Sequence, residues 1–184
     1  MRLYHFTQKK NLLSIAMRGL TPNVPGEPLM TRGEPVVWLT RRPSLAPTAA
    51  DIAFMQEQNW SAAEREKFSQ AVYIGTDTML TVELSTTGRR LWKWSKWLQH
   101  VGAKVSALIM IPTTMTDWYI YFGTVAPHKI DLVPTAENML PAFEHNLACA
   151  VKEGNAERIA KLRAERDQLK ALPPDQLIEL VVAS

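Results

Sequence analysis

Short segments with the composition of β-strands recur through the first 135 residues, and they limit the folds that this chain can adopt. Each has four to seven residues, is rich in β-branched or aromatic side chains, and lies close to Pro, Gly or Asp. Helical patterns at 11–19 and 48–71 interrupt them. The sequence therefore predicts an α+β domain. The predicted strands are Arg2 to Thr7, Pro35 to Thr40, Ala71 to Ile74, Met79 to Leu84, Val105 to Ile111, Trp118 to Phe122 and Ile130 to Val133.

The pattern changes after Pro134. Pro141 to Lys152 and Asn155 to Leu172 read as helices separated by Gly154, and a last helix is predicted after Pro174. This change predicts a strand-rich domain over residues 1–135 and a helical appendage over 136–184. The appendage offers a narrow apolar stripe, which favours a solvated helix packed by one face over a helix that contacts a partner protein.

Composition excludes several classes of protein. The chain has 184 residues, 46% of them hydrophobic, and a formal net charge of +3, which is ordinary for a globular protein. Its apolar runs are far shorter than the ~20 residues of a membrane span, and we expect neither a leader nor a membrane partner. A single cysteine, Cys149, excludes a disulfide framework, and four scattered histidines suggest no metal site. We expect a cytoplasmic protein.

One segment, 89–97, interleaves four cations with three tryptophans. Such a pattern can stack bases and neutralise phosphates. However, Trp94, Trp97, Leu98 and Val101 also have helical spacing, so the favoured interpretation is a packed helix face, with nucleic-acid contact or a protein interface as alternatives. The residues of the possible nucleic-acid contact are Arg89, Arg90, Trp92, Lys93, Trp94 and Lys96.

Two residues on predicted strands have several possible roles. His5 lies between aromatic and β-branched neighbours, where it can be a core histidine, a general base or a hydrogen-bonding group for a ligand. Trp38 can be a core residue or can offer its face to a flat cationic ring. Position alone does not decide between these roles.

The order of short motifs around these two residues resembles that of the ADP-ribosyltransferase fold. At the N-terminus the chain is similar to the DNA ADP-ribosyltransferase toxins, whose first strand has a Tyr-His-x-Thr followed by an Asn-Leu-x-x-Ile helix. The motifs in this chain are Leu3-Tyr4-His5-Phe6-Thr7, Asn11-Leu12-Leu13-Ser14-Ile15, Arg18-Gly19-Leu20-Thr21-Pro22 and Val36-Val37-Trp38-Leu39-Thr40.

The resemblance implies a fold, a substrate and a set of site residues. The fold would have two small sheets around a cleft that holds NAD, which would serve as a substrate without a metal. His5 and Thr7 would hold the ribose, and Trp38 would cover the nicotinamide. The implied enzyme would transfer ADP-ribose to a protein or nucleic-acid acceptor. The remaining implied cofactor-binding residues are Thr40, Arg32 and Arg41, with Arg42 as a further cation near the second strand.

The chain departs from the family's pattern at the position of the catalytic acid. The family's Glu precedes an apolar strand, and this position falls on Trp118. Asp117 is adjacent, but successive strand residues face opposite sides, so Asp117 would substitute only through a shifted register or a bulge. Glu83 is another candidate acid. The departure keeps two alternatives open, a catalytically silent binding protein that inhibits or regulates a partner, and an RNA 2′-phosphotransferase that uses basic residues.

Overall fold

The computed structural model describes residues 1–23, 34–64, 78–102, 116–133 and 135–173. The described part contains five α-helices of at least seven residues and two single-turn 3₁₀ helices, Lys9–Asn11 and Pro127–Lys129. The strands are β1 (Arg2–Thr7), β2 (Val36–Thr40), β3 (Thr78–Glu83), β4 (Leu91–Lys93), β5 (Trp118–Phe122) and β6 (Ile130–Asp131). The α-helices are α1 (Leu12–Arg18), α2 (Ala49–Glu57), α3 (Trp94–Val101), α4 (Ala136–Lys152) and α5 (Ala156–Ala171).

All six strands belong to one antiparallel sheet in the order β4-β5-β2-β1-β3-β6. This arrangement confirms a mixed domain with an antiparallel sheet. The sheet nevertheless has two halves, because β1 and β2 are in register at one pair only, Tyr4 opposite Thr40. By contrast, β2 and β5 share five pairs and β1 and β3 share six. Two separate small sheets were expected, and the pair between Tyr4 and Thr40 joins them into one.

One face of the sheet carries the larger hydrophobic core. Side chains at alternate positions of β1, β2 and β3 point to this face and pack against α1, as the period of two in a strand requires. Two residues of the C-terminal helices, Met139 of α4 and Leu169 of α5, are buried in the same cluster. The region predicted as a helical appendage therefore packs on the strands. Strand residues of this core include Leu3, Val37, Leu39, Leu80 and Val82.

The opposite face of β2, β4 and β5 is covered by α3. Here Trp94, Trp97 and Leu98 of α3 are buried against strand residues and form a tryptophan cluster. The helix predicted from the spacing of these side chains is confirmed, and Gly102 ends it in a left-handed conformation with φ of 68°. The tryptophan cluster consists of Trp38, Trp92, Trp94, Trp97 and Trp118, with Val36, Leu98, Val101, Ile120 and Phe122.

Two helices differ from their predicted bounds. α2 begins with a capping box in which Thr48 and Asp51 exchange hydrogen bonds, and it ends at Glu57, within the helical pattern predicted over 48–71. α4 begins at Ala136 and contains Pro141, which had been read as the start of the helix. The side chain of Thr135 caps α4 by accepting a hydrogen bond from the Asn138 amide, so this residue supplies the start signal that Pro141 was expected to give.

Several predictions lie outside the described residues. They are the strands at 71–74 and 105–111, the last helix after Pro174, and the position of Arg32. Four of the predicted strands lie within one residue of their expected bounds as β1, β2, β3 and β5, and β6 is shorter than expected.

Candidate functional site

A cavity of about 400 Å³ lies between β1, α1 and the segment that follows α1. Its volume falls within the ~300–1,000 Å³ that is usual for small-molecule sites. Polar and backbone groups dominate its lining, and the described lining residues include no carboxylate. We call it the His5 cavity. It is lined by His5, Thr7, Asn11, Ser14, Ile15 and residues 19–23.

The walls of this cavity are fixed by backbone hydrogen bonds. Leu20 and Val125 exchange two backbone bonds of 3.0 Å, and Asn23 and Val36 exchange two more of 2.9 and 3.0 Å. These isolated bridges tie the segment after α1 both to β2 and to the chain beyond β5. The cavity is therefore built before any ligand binds, which lowers the entropic cost of binding.

The imidazole of His5 is held in one orientation. Its Nδ1 lies 2.9 Å from the carbonyl oxygen of Trp38. This contact joins β1 to β2 beyond Tyr4 and Thr40, the one residue pair at which the two strands align. A carbonyl oxygen only accepts, so Nδ1 carries the hydrogen and Nε2 of the neutral ring is an acceptor. Burial lowers the pKa of His5, and the hydrogen bond to Trp38 opposes this shift only in part. His5 therefore favours the neutral form, which accepts a hydrogen bond through Nε2.

Three polar side chains near His5 were not predicted as site residues. Asn11 donates its side-chain amide to the hydroxyl oxygen of Thr7 at 3.1 Å, so the Thr7 hydroxyl hydrogen can still be donated. Ser14 lines the cavity, and its oxygen accepts a hydrogen bond of 2.9 Å from the guanidinium of Arg18. Arg18, which is not itself a lining residue, thus places a positive charge beside Ser14. The sequence did contain a signal for these residues, because Asn11, Ser14 and Arg18 are three and four positions apart and so share one face of a helix.

The side chain of Trp38 lies outside the His5 cavity. Its ring packs edge-on against Trp94, with centroids 4.8 Å apart, and against Trp118 at 5.9 Å. His5 has Leu3 as its neighbour on the face of the larger core, whereas Trp38 belongs to the tryptophan cluster on the opposite face. The structure therefore brings the Trp38 backbone, but not its ring, to His5.

Thr40 also points away from the cavity. It is buried at the far end of β2, two residues after Trp38 on the same face, and its hydroxyl oxygen accepts a hydrogen bond of 3.2 Å from the Arg42 backbone amide. Arg42 in turn lies near α2, with its guanidinium 3.9 Å from the buried carboxylate of Asp51. These contacts give Thr40 and Arg42 structural roles at the start of α2.

Asp117 and Arg41 meet each other away from the cavity. The Arg41 amide donates to the Asp117 carbonyl oxygen at 2.9 Å, just past the end of the β2–β5 ladder. Arg41 is three residues beyond Trp38, or about 10 Å along a strand. Glu83 forms an exposed ion pair of 3.1 Å with Arg2 at the end of β3. The structure thus brings His5 and Thr7 together and leaves Asp117, Arg41 and Glu83 at other places.

The segment at 89–97 is partly buried. Trp94 and Trp97 are only 1% and 6% exposed, so their rings are covered by the tryptophan cluster and are not available to stack on bases. Trp92 is half-buried, and Lys96 is exposed. The packing interpretation therefore accounts for two of the three tryptophans, and the cations lie outside the cluster.

Two kinds of site were sought among the described residues. In that part of the chain, no group of three or more His, Cys, Asp or Glu side chains is placed to hold a metal ion. None of the described helices has the length and apolar character needed to cross a membrane.

Comparison of the chain with known proteins gives no match to a family model, to a curated protein or to a solved structure. The function of the His5 cavity must therefore be inferred from its own geometry and from the motifs that form it.

Proposed function

We propose that the His5 cavity binds NAD and that the protein transfers the ADP-ribose group of NAD to a macromolecular acceptor, either protein or nucleic acid. One observation carries this proposal: His5 and Thr7 of β1 line the same cavity as Asn11, Ser14 and the Gly19-Leu20 turn. These are the motifs in which the sequence resembles the ADP-ribosyltransferases. Their convergence on one cavity supports the proposal.

The polar groups of the cavity suit a ribose. Neutral His5 offers an acceptor at Nε2, and Thr7 offers a hydroxyl that can donate. Vicinal sugar hydroxyls both donate and accept, so they match this pair. Arg18 beside Ser14 supplies a charge for a diphosphate, because a guanidinium binds phosphate oxygens through a rigid set of donors.

The reaction depends more on holding the ribose in one orientation than on a strong nucleophile. The bond between nicotinamide and ribose breaks with its electron pair leaving on nicotinamide, and the ribose carbon develops oxocarbenium character. A nucleophilic atom of the acceptor then forms the new bond and loses its proton to water. Holding the ribose in a fixed cavity accelerates such a step by removing rotational freedom. The division of the sheet between β1 and β2 supports a cleft of the kind that the ADP-ribosyltransferase fold would require.

The test uses NAD labelled on its adenylate half, incubated with the pure protein alone and with cell lysate, DNA or RNA. Nicotinamide release and label transfer are both measured. We expect transfer to one acceptor class with the wild type and a loss of at least about 100-fold in His5→Ala. The matched control is His128→Ala, an exposed histidine outside the cavity, which should retain activity. Equal transfer by His5→Ala and wild type would contradict the proposed site.

A second candidate function is NAD binding without catalysis, in a protein that inhibits or regulates a partner. The lack of a carboxylate among the described lining residues favours it, as does Trp118, which replaces the family's Glu and packs against Trp38. Calorimetric titration with NAD separates the two candidates. Binding that His5→Ala abolishes, without nicotinamide release, would establish the silent protein, whereas absence of both binding and release would overturn both.

A further inference from the structure

A second cavity, of about 280 Å³, lies beside β4 and the start of α3. It shares no lining residue with the His5 cavity. Its size is close to the lower end of the range for small-molecule sites. We call it the lysine cavity. The lining residues that matter here are Thr86, Leu91, Trp92, Lys93, Lys96 and Tyr119.

The lysine cavity is positively charged. Lys93 and Lys96 both line it, and its described lining residues include no Asp or Glu. Neither lysine forms an ion pair with any described residue. Two ammonium groups that face one small space without a carboxylate repel each other, and a bound anion would relieve that repulsion.

The start of α3 adds to this positive potential. Lys93 is the N-cap of α3 and Lys96 lies in its first turn. These positions normally favour Ser, Thr, Asp or Asn and acidic residues, because the helix N-terminus is itself partly positive. In α3 the N-cap side chain makes no capping bond, and the first turn contains no acid. The sequence thus concentrates cations at a helix end where an anion is the favoured neighbour.

Trp92 is a lining residue of the lysine cavity, but its ring lies on the opposite face of β4 from Leu91 and Tyr119. Its indole Nε1 donates to the Arg89 carbonyl oxygen at 3.1 Å, and its ring stacks on His100 with centroids 5.1 Å apart. It also meets Trp97 edge-on at 5.4 Å. These three contacts hold the ring in the tryptophan cluster, so the aromatic surface on the face of Leu91 is the ring of Tyr119, which packs against the larger core.

Hydroxyl groups complete the polar lining. Tyr119 of β5 and Thr86 both contribute side chains that can donate to an anion. Leu91, on the edge strand β4, adds apolar surface on the same face as Tyr119. The cavity therefore combines cations and hydroxyl donors with an aromatic and apolar wall.

We propose that the lysine cavity binds a small organic phosphate, with the phosphate group on Lys93 and Lys96 and a flat ring against Tyr119 and Leu91. The geometry favours one nucleotide-sized ligand over a nucleic-acid strand. A strand is held by successive exposed aromatic rings, whereas Trp94 and Trp97 of the segment 89–97 are buried. This proposal is independent of the proposed NAD site.

The test is titration of the full chain with AMP, followed by calorimetry and by tryptophan fluorescence. Adenosine and inorganic phosphate are the two parts of AMP, and each alone should bind at least about ten-fold more weakly than AMP. The double variant Lys93→Gln/Lys96→Gln should weaken AMP binding by about ten-fold or more. A matched pair of exposed lysines on α4 and α5, changed as Lys152→Gln/Lys170→Gln, should leave the affinity for AMP unchanged.

The variant His5→Ala shows which of the two cavities binds AMP in this experiment. AMP binding that survives His5→Ala and fails in Lys93→Gln/Lys96→Gln supports the proposal, whatever the outcome for NAD. AMP binding that is lost in His5→Ala but kept in the lysine variant would assign AMP to the His5 cavity and overturn the proposal. No AMP binding, with a single-stranded oligonucleotide binding through the two lysines, would overturn it in favour of a nucleic-acid partner.

Discussion

At the residue scale, the partly buried imidazole of His5 makes stability depend on pH. Burial lowers its pKa below the unfolded value of about 6.5, so the unfolded chain binds a proton more readily than the folded one. The stabilisation that comes from neutral His5 is fully present above the unfolded pKa, and it is lost as the pH falls toward the lower pKa of the folded state. The free energy of unfolding should therefore decrease on acidification through this range.

His5→Asn provides the measurement, since its side-chain amide can still donate to the Trp38 carbonyl oxygen but does not titrate. Urea unfolding at about pH 7.5 and about pH 5.5 should show a larger loss of stability in the wild type than in His5→Asn. All other titrating groups are shared, so the difference isolates His5. Equal losses in both proteins would mean that the imidazole is not desolvated in the folded state.

The resemblance to the ADP-ribosyltransferases implied that His5 and Thr7 act together, and these residues are two apart on β1 and face the same side. The sequence did not predict the side on which Trp38 lies. That depends on the register of β2 against β1, which is set by the long-range pair between Tyr4 and Thr40. The resemblance therefore named two residues that line one cavity, and the pairing of β1 with β2 places the third residue, Trp38, on the other face of the sheet.

At the element scale, the end of α1 needs a glycine. Gly19 has φ of 80° and ψ of −173°, a region that is essentially restricted to glycine. A Cβ added there would lie 2.0 Å from the Val125 carbonyl oxygen, which accepts the bond that closes the cavity wall. Gly19→Ala should therefore destabilise the protein by at least about 1–3 kcal/mol in urea unfolding.

Gly88→Ala is the matched control for Gly19→Ala. A Cβ at Gly88 would meet no atom within 4 Å, and its φ is not in the left-handed region. We expect its free energy of unfolding to stay within about 0.5 kcal/mol of the wild type. A similar small effect at Gly19 would show that the turn after α1 adapts, and that the cavity wall is less rigid than the hydrogen bonds indicate.

Elements with strong local signals were predictable, and those with competing signals were not. α3 followed from the spacing of Trp94, Trp97 and Leu98, whose large side chains occupy one face. The start of α4 was missed because Pro141 is a common first-turn residue, whereas Thr135 acts as the cap and Pro141 lies inside the helix. A single cap can thus outweigh a proline when the following residues pack on a core.

At the scale of the whole molecule, the C-terminal helices support the sheet and the cavity. Met139 of α4 and Leu169 of α5 are buried in the core that contains Leu3 and Val82 of β1 and β3. α4 also contacts α1 and the 3₁₀ turn Lys9–Asn11, which carry part of the cavity lining. The narrow apolar stripe predicted a helix that packs by one face, but it did not indicate that this face packs on the core of the strands.

Two methionines test whether α4 belongs to the same cooperative unit as the strands. Met139 is fully buried, so Met139→Ala should remove its packing and leave a cavity, at a cost of about 2–5 kcal/mol in urea unfolding. Met17 of α1 is 37% exposed, and Met17→Ala should cost less than about 1 kcal/mol. If both variants unfold at the wild-type midpoint, the C-terminal helices contribute little to the core. A single, shifted transition in Met139→Ala would instead mean that the helices and the sheet that carries His5 unfold together.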